Sequence, residues 1–451
     1  MSYQLSLPSQ GAFTQRGSAL VMVLWIVAVS SVIIIGVQRM TESNLRLGRH
    51  EVERVKANWL ARAGVEKGLS ILSEDITYDD STLDLWYDNP ETFREDYSDE
   101  KHGTWVVHYL DYDNTDGLIE RLGISDLGAR INVNYASGEL LLNLPNIDEE
   151  ITASIEDWRD EDDDIRNSGA EAGYYSELDL PYEIRNGKIQ TLDELQLIKS
   201  VKANDYHGIF GESNKHYKRL SQLRTKTDQV QDGDDLGWRF WVTPFSYEKN
   251  TNSRGQERIN INDADAETLK SNLGISKALA DAVVKKRNEN VFSSFFDLLN
   301  IKEEQQKNGQ SNNNSNSTSN NETKSFTVKW LANHWLEMSL TSDKKLPGKL
   351  NVNTASRYVL ERIAGLDDEI VDAIINTREG STGPIMSMSQ LLEAVGEEPF
   401  KLIADRVNLR SEVFLIVSSG RSYLGTIQRI VAVIDRGSDP YSILYWYQSE
   451  S

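Results

Sequence analysis

The longest apolar stretch of the chain lies near its N-terminus. From Ser18 to Val37 there is neither a charged residue nor a proline. As a helix, these roughly 20 residues span ~30 Å, which is enough to cross the hydrocarbon core of a bilayer. Beyond Val37, apolar residues recur at helical spacing: Leu45, Val52, Val55, Trp59, Ala63 and Leu69. The pattern predicts one long helix that first crosses a membrane and then packs on a sheet.

The pattern of apolar residues predicts strands in two distant parts of the chain. Residues 104–110 alternate, and a turn rich in Asp and Asn separates them from a second strand over 118–124. Near the C-terminus, short runs rich in β-branched and aromatic residues predict strands over 413–418, 426–435 and 443–448. We expect these C-terminal strands to complete the sheet under the long helix.

A segment with two asparagines, one residue apart, occurs three times. The copies begin at Arg130, Arg258 and Lys349, and each is followed by a helix, a tight turn and a second helix that ends near an arginine. Three related units are therefore predicted. A strand over 238–242 is expected to lead the second copy. The unit resembles the helix-hairpin-helix, or SAM-like, module.

The composition argues against several classes of protein. Acidic residues outnumber basic ones by 70 to 48 in 451 residues, which gives a net charge of -22. Such a surface repels the phosphates of nucleic acids unless a local basic patch exists. There is no cysteine, so neither disulfides nor thiolate metal sites are possible. The six histidines form no metal-binding motif, and no catalytic residue is predicted.

The dipeptide Arg16-Gly17 stands directly before the apolar stretch. A secretory signal peptide would have a shorter apolar core followed by small residues, and a plain membrane anchor leaves Arg16-Gly17 unexplained. The arrangement resembles the prepilin-type leader of type IV pilins and type II secretion pseudopilins. The resemblance implies that a prepilin peptidase cuts between Gly17 and Ser18 and that the apolar segment is retained.

The fifth residue after the expected cut is Met22. Most members of the pilin class have a glutamate there, which pairs with the terminal amine of a neighbouring subunit. A charge buried between helices needs such a partner. Met22 cannot make this pairing, so we expect it to mark a unique end position in the assembly rather than a repeated one.

A cluster of carboxylates follows the second helix of the first unit. Asp160, Asp162, Asp164 and Glu171 have the 1, 3, 5 and 12 spacing of an EF-hand loop, although Ile165 replaces its glycine. Oxygen ligands favour a hard ion, and calcium fits best. The alternative is a solvated acidic loop without an ion. We name these four residues as the candidate structural calcium site.

The same region carries the most specific family pattern: Asp157-Trp158-Arg159-Asp160, Gly169-Ala170-Glu171, Tyr174-Tyr175, Leu180-Pro181-Tyr182, Asn186-Gly187 and Leu192-Asp193-Glu194-Leu195. With the leader, this order of motifs resembles the minor pseudopilin K family of type II secretion systems. The resemblance implies a non-enzymatic subunit at the pseudopilus tip that contributes to assembly and protein export. It also implies calcium in the globular region and a single-pass bacterial inner-membrane protein whose body lies in the periplasm. The implied partners are the I-type and J-type minor pseudopilins, the major pseudopilin and the prepilin peptidase.

The predicted fold class is α+β, with a long N-terminal transmembrane helix on a pilin-like antiparallel sheet and inserted helix-hairpin-helix, or SAM-like, repeats. Residues 307–325 are rich in Asn and Ser and are expected to be a linker. The full division is as follows: 1–17 leader, 18–73 long helix with 18–37 in the membrane, 74–137 first part of the sheet, 138–237 inserted helical domain with the acidic loop, 238–306 second strand and unit, 326–410 third unit, and 411–451 C-terminal strands.

Two alternatives remain open from the sequence. Helix-hairpin-helix modules commonly bind DNA through glycine-rich hairpins, so the chain could be a membrane-anchored DNA receptor of a DNA-uptake system. The hairpins here lack the second glycine, and aspartates Asp148 and Asp367 stand in two of them, so nucleic acid is not the expected partner. A secreted hydrolase with an uncleaved anchor has only scattered carboxylates in its favour.

Overall fold

The computed structural model describes residues 18–97, 103–113, 117–208, 230, 232–302, 323, 325–363 and 366–450. The leader with Gly17, most of the predicted linker, and Gly365 of the third hairpin lie outside the described residues. The helices of four or more residues are α1 (Ser18–Glu74), α2 (Gly138–Leu142), α3 (Glu149–Arg159), α4 (Ala172–Ser176), α5 (Ala203–His207), α6 (Ala266–Leu273), α7 (Lys277–Glu289), α8 (Val328–His334), α9 (Arg357–Leu360), α10 (Asp368–Arg378), α11 (Met388–Val395) and α12 (Glu397–Ile403). Short 3₁₀ helices lie at Leu192–Leu197, Gly233–Leu236, Trp238–Phe240, Phe295–Asn300 and Trp335–Glu337.

The strands fall into one sheet and several two-stranded pairs. They are β1 (Arg94–Tyr97), β2 (Gly103–Val107), β3 (Tyr109–Asp113), β4 (Gly117–Arg121), β5 (Ser125–Asp126), β6 (Ile131–Asn132), β7 (Val242–Thr243), β8 (Tyr247–Lys249), β9 (Ile259–Asn260), β10 (Met338–Ser339), β11 (Lys345–Pro347), β12 (Leu350–Asn351), β13 (Val407–Asn408), β14 (Val413–Arg421), β15 (Ile427–Asp435) and β16 (Ser442–Glu450). The main sheet runs β1-β2-β14-β15-β16, with β5 also paired to β14, and every pairing in it is antiparallel. The C-terminal strands thus complete a sheet begun some 300 residues earlier. This architecture confirms the predicted α+β class.

The packing of α1 on the sheet differs from the prediction. Leu45, Val52, Val55 and Trp59 are each more than half exposed, so the predicted apolar face is wrong. The buried face instead combines small residues, among them Ala57, Ala61 and Gly64, with Val65 and Leu72 nearer the end of the helix. A Cβ built on Gly64 would lie 2.2 Å from Ser418 Oγ, and one on Gly420 of β14 would lie 2.1 Å from the Ala57 carbonyl oxygen. Small residues therefore allow the helix and sheet backbones to approach closely.

Two strand predictions also need correction. The first strand does not run through residue 110, because β2 ends at Val107 and β3 begins a separate hairpin with β4 at Tyr109. The predicted strand over 238–242 is mostly a 3₁₀ helix, Trp238–Phe240. Only its end forms β7, and β7 pairs with β6 in the first unit rather than leading the second.

The three repeated units close in the same way. Each places its Asn-containing strand parallel to a strand much later in the chain: β6 with β7, β9 with β10, and β12 with β13. Two strands that pair in parallel need a crossover, and here the helices of the unit provide it. One continuous apolar core joins residues of all three units, and a second lies between α1 and the sheet.

Hydrogen bonds explain the recurring asparagines and arginines. In the second unit, Asn262 Nδ2 donates to the Phe292 carbonyl at 3.0 Å, and the Phe292 N–H donates to Asn262 Oδ1 at 2.9 Å. Arg287 Nη1 donates to the carbonyls of Ile261 at 3.0 Å and Ala264 at 2.5 Å. Asn134 and Arg159 of the first unit, and Asn353 and Arg378 of the third, make equivalent bonds. The repeated polar residues thus stabilise each unit from inside.

Candidate functional site

The acidic loop between α3 and α4 brings three of its four predicted ligands together. Asp160, Asp162 and Glu171 each offer one carboxylate oxygen, and these oxygens all lie within 4.8 Å of one another. Asp164 lies outside this group. Its N–H donates to Asp162 Oδ1 at 2.9 Å, so its backbone shapes the turn that holds Asp162.

Glu171 is the most unusual member of the group. It is 3% exposed, and neither of its carboxylate oxygens has a hydrogen-bond partner. Burial, together with the negative charges of Asp157 and Asp160, raises the pKa of Glu171 to about 7. A buried carboxylate without donors costs free energy unless a proton or a cation neutralises it.

Arg166 and Asp157 hold the loop in shape. Asp157 is fully buried and accepts hydrogen bonds from the Arg166 N–H at 3.3 Å and from Arg166 Nη1 at 3.0 Å. Arg166 also contacts Asp160, which leaves Asp160 Oδ1 without a partner. Gly169 is required beside them, because a Cβ there would lie 2.0 Å from Asp157 Oδ2.

Sequence reasoning missed Asn186 as a possible ligand. Its Nδ2 donates to the Asp162 carbonyl at 3.1 Å and to Asp163 Oδ1 at 2.9 Å, while its buried Oδ1 has no partner. The signal was present in the Asn186-Gly187 motif. Asn amide and carboxylate oxygens are typical ligands of Ca²⁺. The donor set therefore fits a hard divalent cation, and calcium remains a prediction.

The apolar part of α1 is the second functional feature. In the described chain, α1 is the one helix long and apolar enough to cross a membrane. The apolar side chains from Leu20 to Val37 are all close to half exposed or more, and Met22 is 66% exposed. Ser18 begins the helix, while the other processing residue, Gly17, lies outside the described residues. These side chains have no protein partner within the described chain, so lipid or another helix must cover them.

In the first and third units, an aspartate of the hairpin itself caps the N-terminus of the following helix. Asp148 Oδ1 accepts from the Ile151 N–H at 2.9 Å, and Asp367 Oδ1 accepts from the Ile370 N–H at 3.0 Å. These caps occupy backbone donors and place a negative charge where a phosphate would approach. Neither hairpin is therefore suited to bind a DNA backbone.

The second hairpin is closer to the DNA-binding pattern but is also engaged. Gly274 has a φ of 63°, which favours glycine, and Ser276 caps α7. The Ser276 N–H donates to the Thr323 carbonyl at 3.0 Å, so it points into the protein. Arg287 is used inside the unit, and Lys286 pairs with Glu289 at 2.9 Å. Two of the four basic residues of α7, Lys286 and Arg287, are thus bonded within the protein; the other two are Lys277 and Lys285.

Comparison with known proteins gives two family matches. Residues 129–209, which include the acidic loop, match the family described as type II secretion system (T2SS), protein K. Residues 254–310, which include the second hairpin, match the helix-hairpin-helix motif. No curated protein matches the chain.

One solved structure covers most of the chain. It is a chain of the GspK-GspI-GspJ complex from the enterotoxigenic Escherichia coli type 2 secretion system. The identity is 14% and the TM-score 0.39, over 90% of this chain and 99% of that chain. The match agrees with the predicted family: residues 129–209 of this chain carry the protein K domain of type II secretion.

Proposed function

We propose that this chain is a non-enzymatic minor pseudopilin at the tip of a type II secretion pseudopilus, where it contributes to fibre assembly and protein export. The observation that carries the proposal is the joining of two features in one chain. The protein K domain lies on the same polypeptide as a 57-residue helix whose first part is apolar enough to cross a bilayer.

The helix supports both a membrane-bound and an assembled state. Before assembly, the exposed apolar side chains from Leu20 to Val37 are covered by lipid of the inner membrane. After assembly, the same side chains pack against the helices of the I-type and J-type minor pseudopilins and the major pseudopilin. The globular body then lies in the periplasm.

Met22 supports a place at the end of the fibre. A carboxylate at this position would pair with the terminal amine of the adjoining subunit, and methionine offers no charge for that pairing. A subunit without this carboxylate cannot bind a neighbouring subunit through this pairing. The tip is the position in a fibre where that neighbour is absent.

The acidic loop supports a structural cation rather than a catalytic site. Asp160, Asp162 and Glu171 would hold Ca²⁺, with Asn186 Oδ1 as a further ligand. The ion would neutralise the buried Glu171 carboxylate and link α3 to α4. Its role would be to fix the loop, because the three carboxylate oxygens lie within 4.8 Å of one another.

The first experiment is the intact mass of the membrane-extracted full chain, produced with and without prepilin peptidase. A mature chain that starts at Ser18 only when the peptidase is present supports the proposal. The variant Gly17→Val is the control and should keep the Met1 start under both conditions. A wild-type chain that keeps Met1, or is cut beyond Ser31, contradicts the proposal, and salt-dependent retention of DNA would then favour the receptor alternative.

A further inference from the structure

A second group of carboxylates lies directly after α1. Asp75, Asp80 and Asp84 each offer an oxygen, and these oxygens lie within 4.8 Å of one another. The group belongs to the segment that leads from the end of α1 at Glu74 to the sheet. It is separate in sequence from the acidic loop of the first unit.

One oxygen of this group is buried without a partner. Asp80 is 0% exposed, and its Oδ1 accepts no hydrogen bond. Its Oδ2 is fully used, because it accepts from the Ser411 N–H at 2.8 Å and from Arg436 Nη2 at 2.7 Å. Since an unpaired buried carboxylate oxygen is costly, Oδ1 needs a ligand that the described protein atoms do not provide.

The charges of the cluster do not balance. Arg436 pairs with Asp75 at 3.0 Å and Asp80 at 2.7 Å and contributes one positive charge. Three carboxylates against one guanidinium leave two formal negative charges, which one divalent cation would neutralise. Consistent with the imbalance, burial raises the pKa of Asp80 to about 7 and that of Asp84 to about 6.

The cluster sits where three parts of the fold meet. The Asp80 N–H donates to the Leu409 carbonyl at 2.9 Å, and Asn351 Nδ2 donates to the Asp80 carbonyl at 3.1 Å, so the third unit is attached here. Arg436 follows β15, and its Nη2 donates to the Ser411 carbonyl at 2.7 Å. A ligand at this point would tie the end of α1 to both the sheet and the helical body.

We propose that Asp75, Asp80 and Asp84 form a second site for a hard divalent cation, of the calcium or magnesium class, that fixes the end of the membrane helix to the globular body. Asp80 would contribute Oδ1, its buried oxygen without a partner. Carboxylate oxygens alone select a hard ion over a transition metal. The proposal rests on this geometry and does not depend on the ion predicted for the acidic loop.

The test is calorimetric titration of the chelator-treated full chain in detergent, first with Ca²⁺ and then with Mg²⁺. The variant Asp84→Asn keeps an oxygen for the Ser81 N–H, which now donates to Asp84 Oδ2 at 2.7 Å, but removes a charge. Asp162→Asn removes a charge from the acidic loop instead. We expect Asp84→Asn to lose the binding event at the second site, or to weaken its affinity about tenfold or more. Asp162→Asn should keep that binding event.

The matched control is Asp88→Asn, an exposed aspartate in the same segment, which should bind the ion as the wild type does. Each variant is compared with the wild type in chelator by circular dichroism and thermal unfolding. If Asp84→Asn does not fold, Asp75→Asn takes its place, because its one side-chain oxygen can still accept the bond that Thr77 or Arg436 now donates to Asp75. The proposal is overturned if Asp84→Asn binds both ions as the wild type does. It is also overturned if the acidic loop accounts for all of the binding.

Discussion

Asn353 and Ile385 bond to each other in both directions. Asn353 Nδ2 donates to the Ile385 carbonyl at 2.9 Å, and the Ile385 N–H donates to Asn353 Oδ1 at 2.9 Å. Both residues are buried, at 1% and 0% exposure. A single side chain thus satisfies two backbone groups 32 residues away, and the corresponding asparagine does the same in the other two units.

Replacing Asn353 by alanine should destabilise the protein by about 2–4 kcal/mol, because two hydrogen bonds are lost and two buried backbone groups lose their partner. The free energy of unfolding in denaturant measures this. Asn376→Ala is the matched control, since Asn376 is exposed on α10, and it should change stability by less than about 0.5 kcal/mol. Equal effects of the two variants would contradict the structural role of Asn353.

Gly64→Ala should weaken the packing of α1 on the sheet. The new methyl group would lie 2.2 Å from Ser418 Oγ and 3.1 Å from both Trp105 and Val107, so the Ser418 hydroxyl must turn away or the helix must move outward. We expect a loss of about 1–3 kcal/mol in thermal or denaturant unfolding. Gly48→Ala on the same helix meets nothing within 4 Å and should not lower stability. A Gly64→Ala variant as stable as the wild type would show that α1 packs less closely.

Calcium should stabilise the protein through the acidic loop. A ligand that binds only the folded state raises its stability by about 2.7 kcal/mol at 100 times its dissociation constant. Glu171→Gln removes the buried charge that the ion would neutralise, so this variant should be more stable than the wild type in chelator and gain less from calcium. Thermal unfolding with chelator and with added Ca²⁺ measures both effects. Exposed Glu177→Gln is the control and should respond to calcium like the wild type.

His207 should make the protein sensitive to mild acid. Burial, assisted by the Arg239 charge, lowers the pKa of His207 in the folded state. The unfolded chain therefore binds a proton near pH 6.5 more readily than the folded one, and stability falls as the pH drops below that value. His207→Gln should remove this part of the pH dependence below about pH 6.5. If the unfolding midpoints of the wild type and His207→Gln fall in parallel as the pH is lowered, this prediction is wrong.

The exposed apolar face of α1 should serve assembly rather than folding. On the proposed function, Val52→Lys should leave the unfolding of the isolated chain unchanged but reduce its co-purification with the I-type and J-type pseudopilins. Ser43→Lys places the same charge on the opposite face of the same helix, because nine residues rotate an α-helix by two and a half turns. It should preserve the complex. Loss of the complex in both variants would point to a general charge effect.

Much of the architecture followed from the sequence itself. A long apolar run, short β-branched and aromatic runs near the C-terminus, and a thrice-repeated Asn-x-Asn segment are local patterns, and each favours one kind of structure. The spacing of Asp160, Asp162, Asp164 and Glu171 also predicted that their side chains would meet, and all of them except Asp164 do. Neighbours within one short loop have few ways to avoid one another.

Tertiary structure alone decided the features that depend on distant partners. The face of α1 that packs was set by the close approach of Gly420 and Ser418, so small residues at Ala57 and Gly64 were buried while Trp59 was left exposed. The strand at Val242 belongs to the first unit, where it pairs with Ile131. Local sequence could not predict this pairing, because the two residues are more than 100 positions apart. Likewise, Asp80 meets Arg436 only after the chain has folded, and the hydrophobic periodicity of the sequence does not predict such a contact.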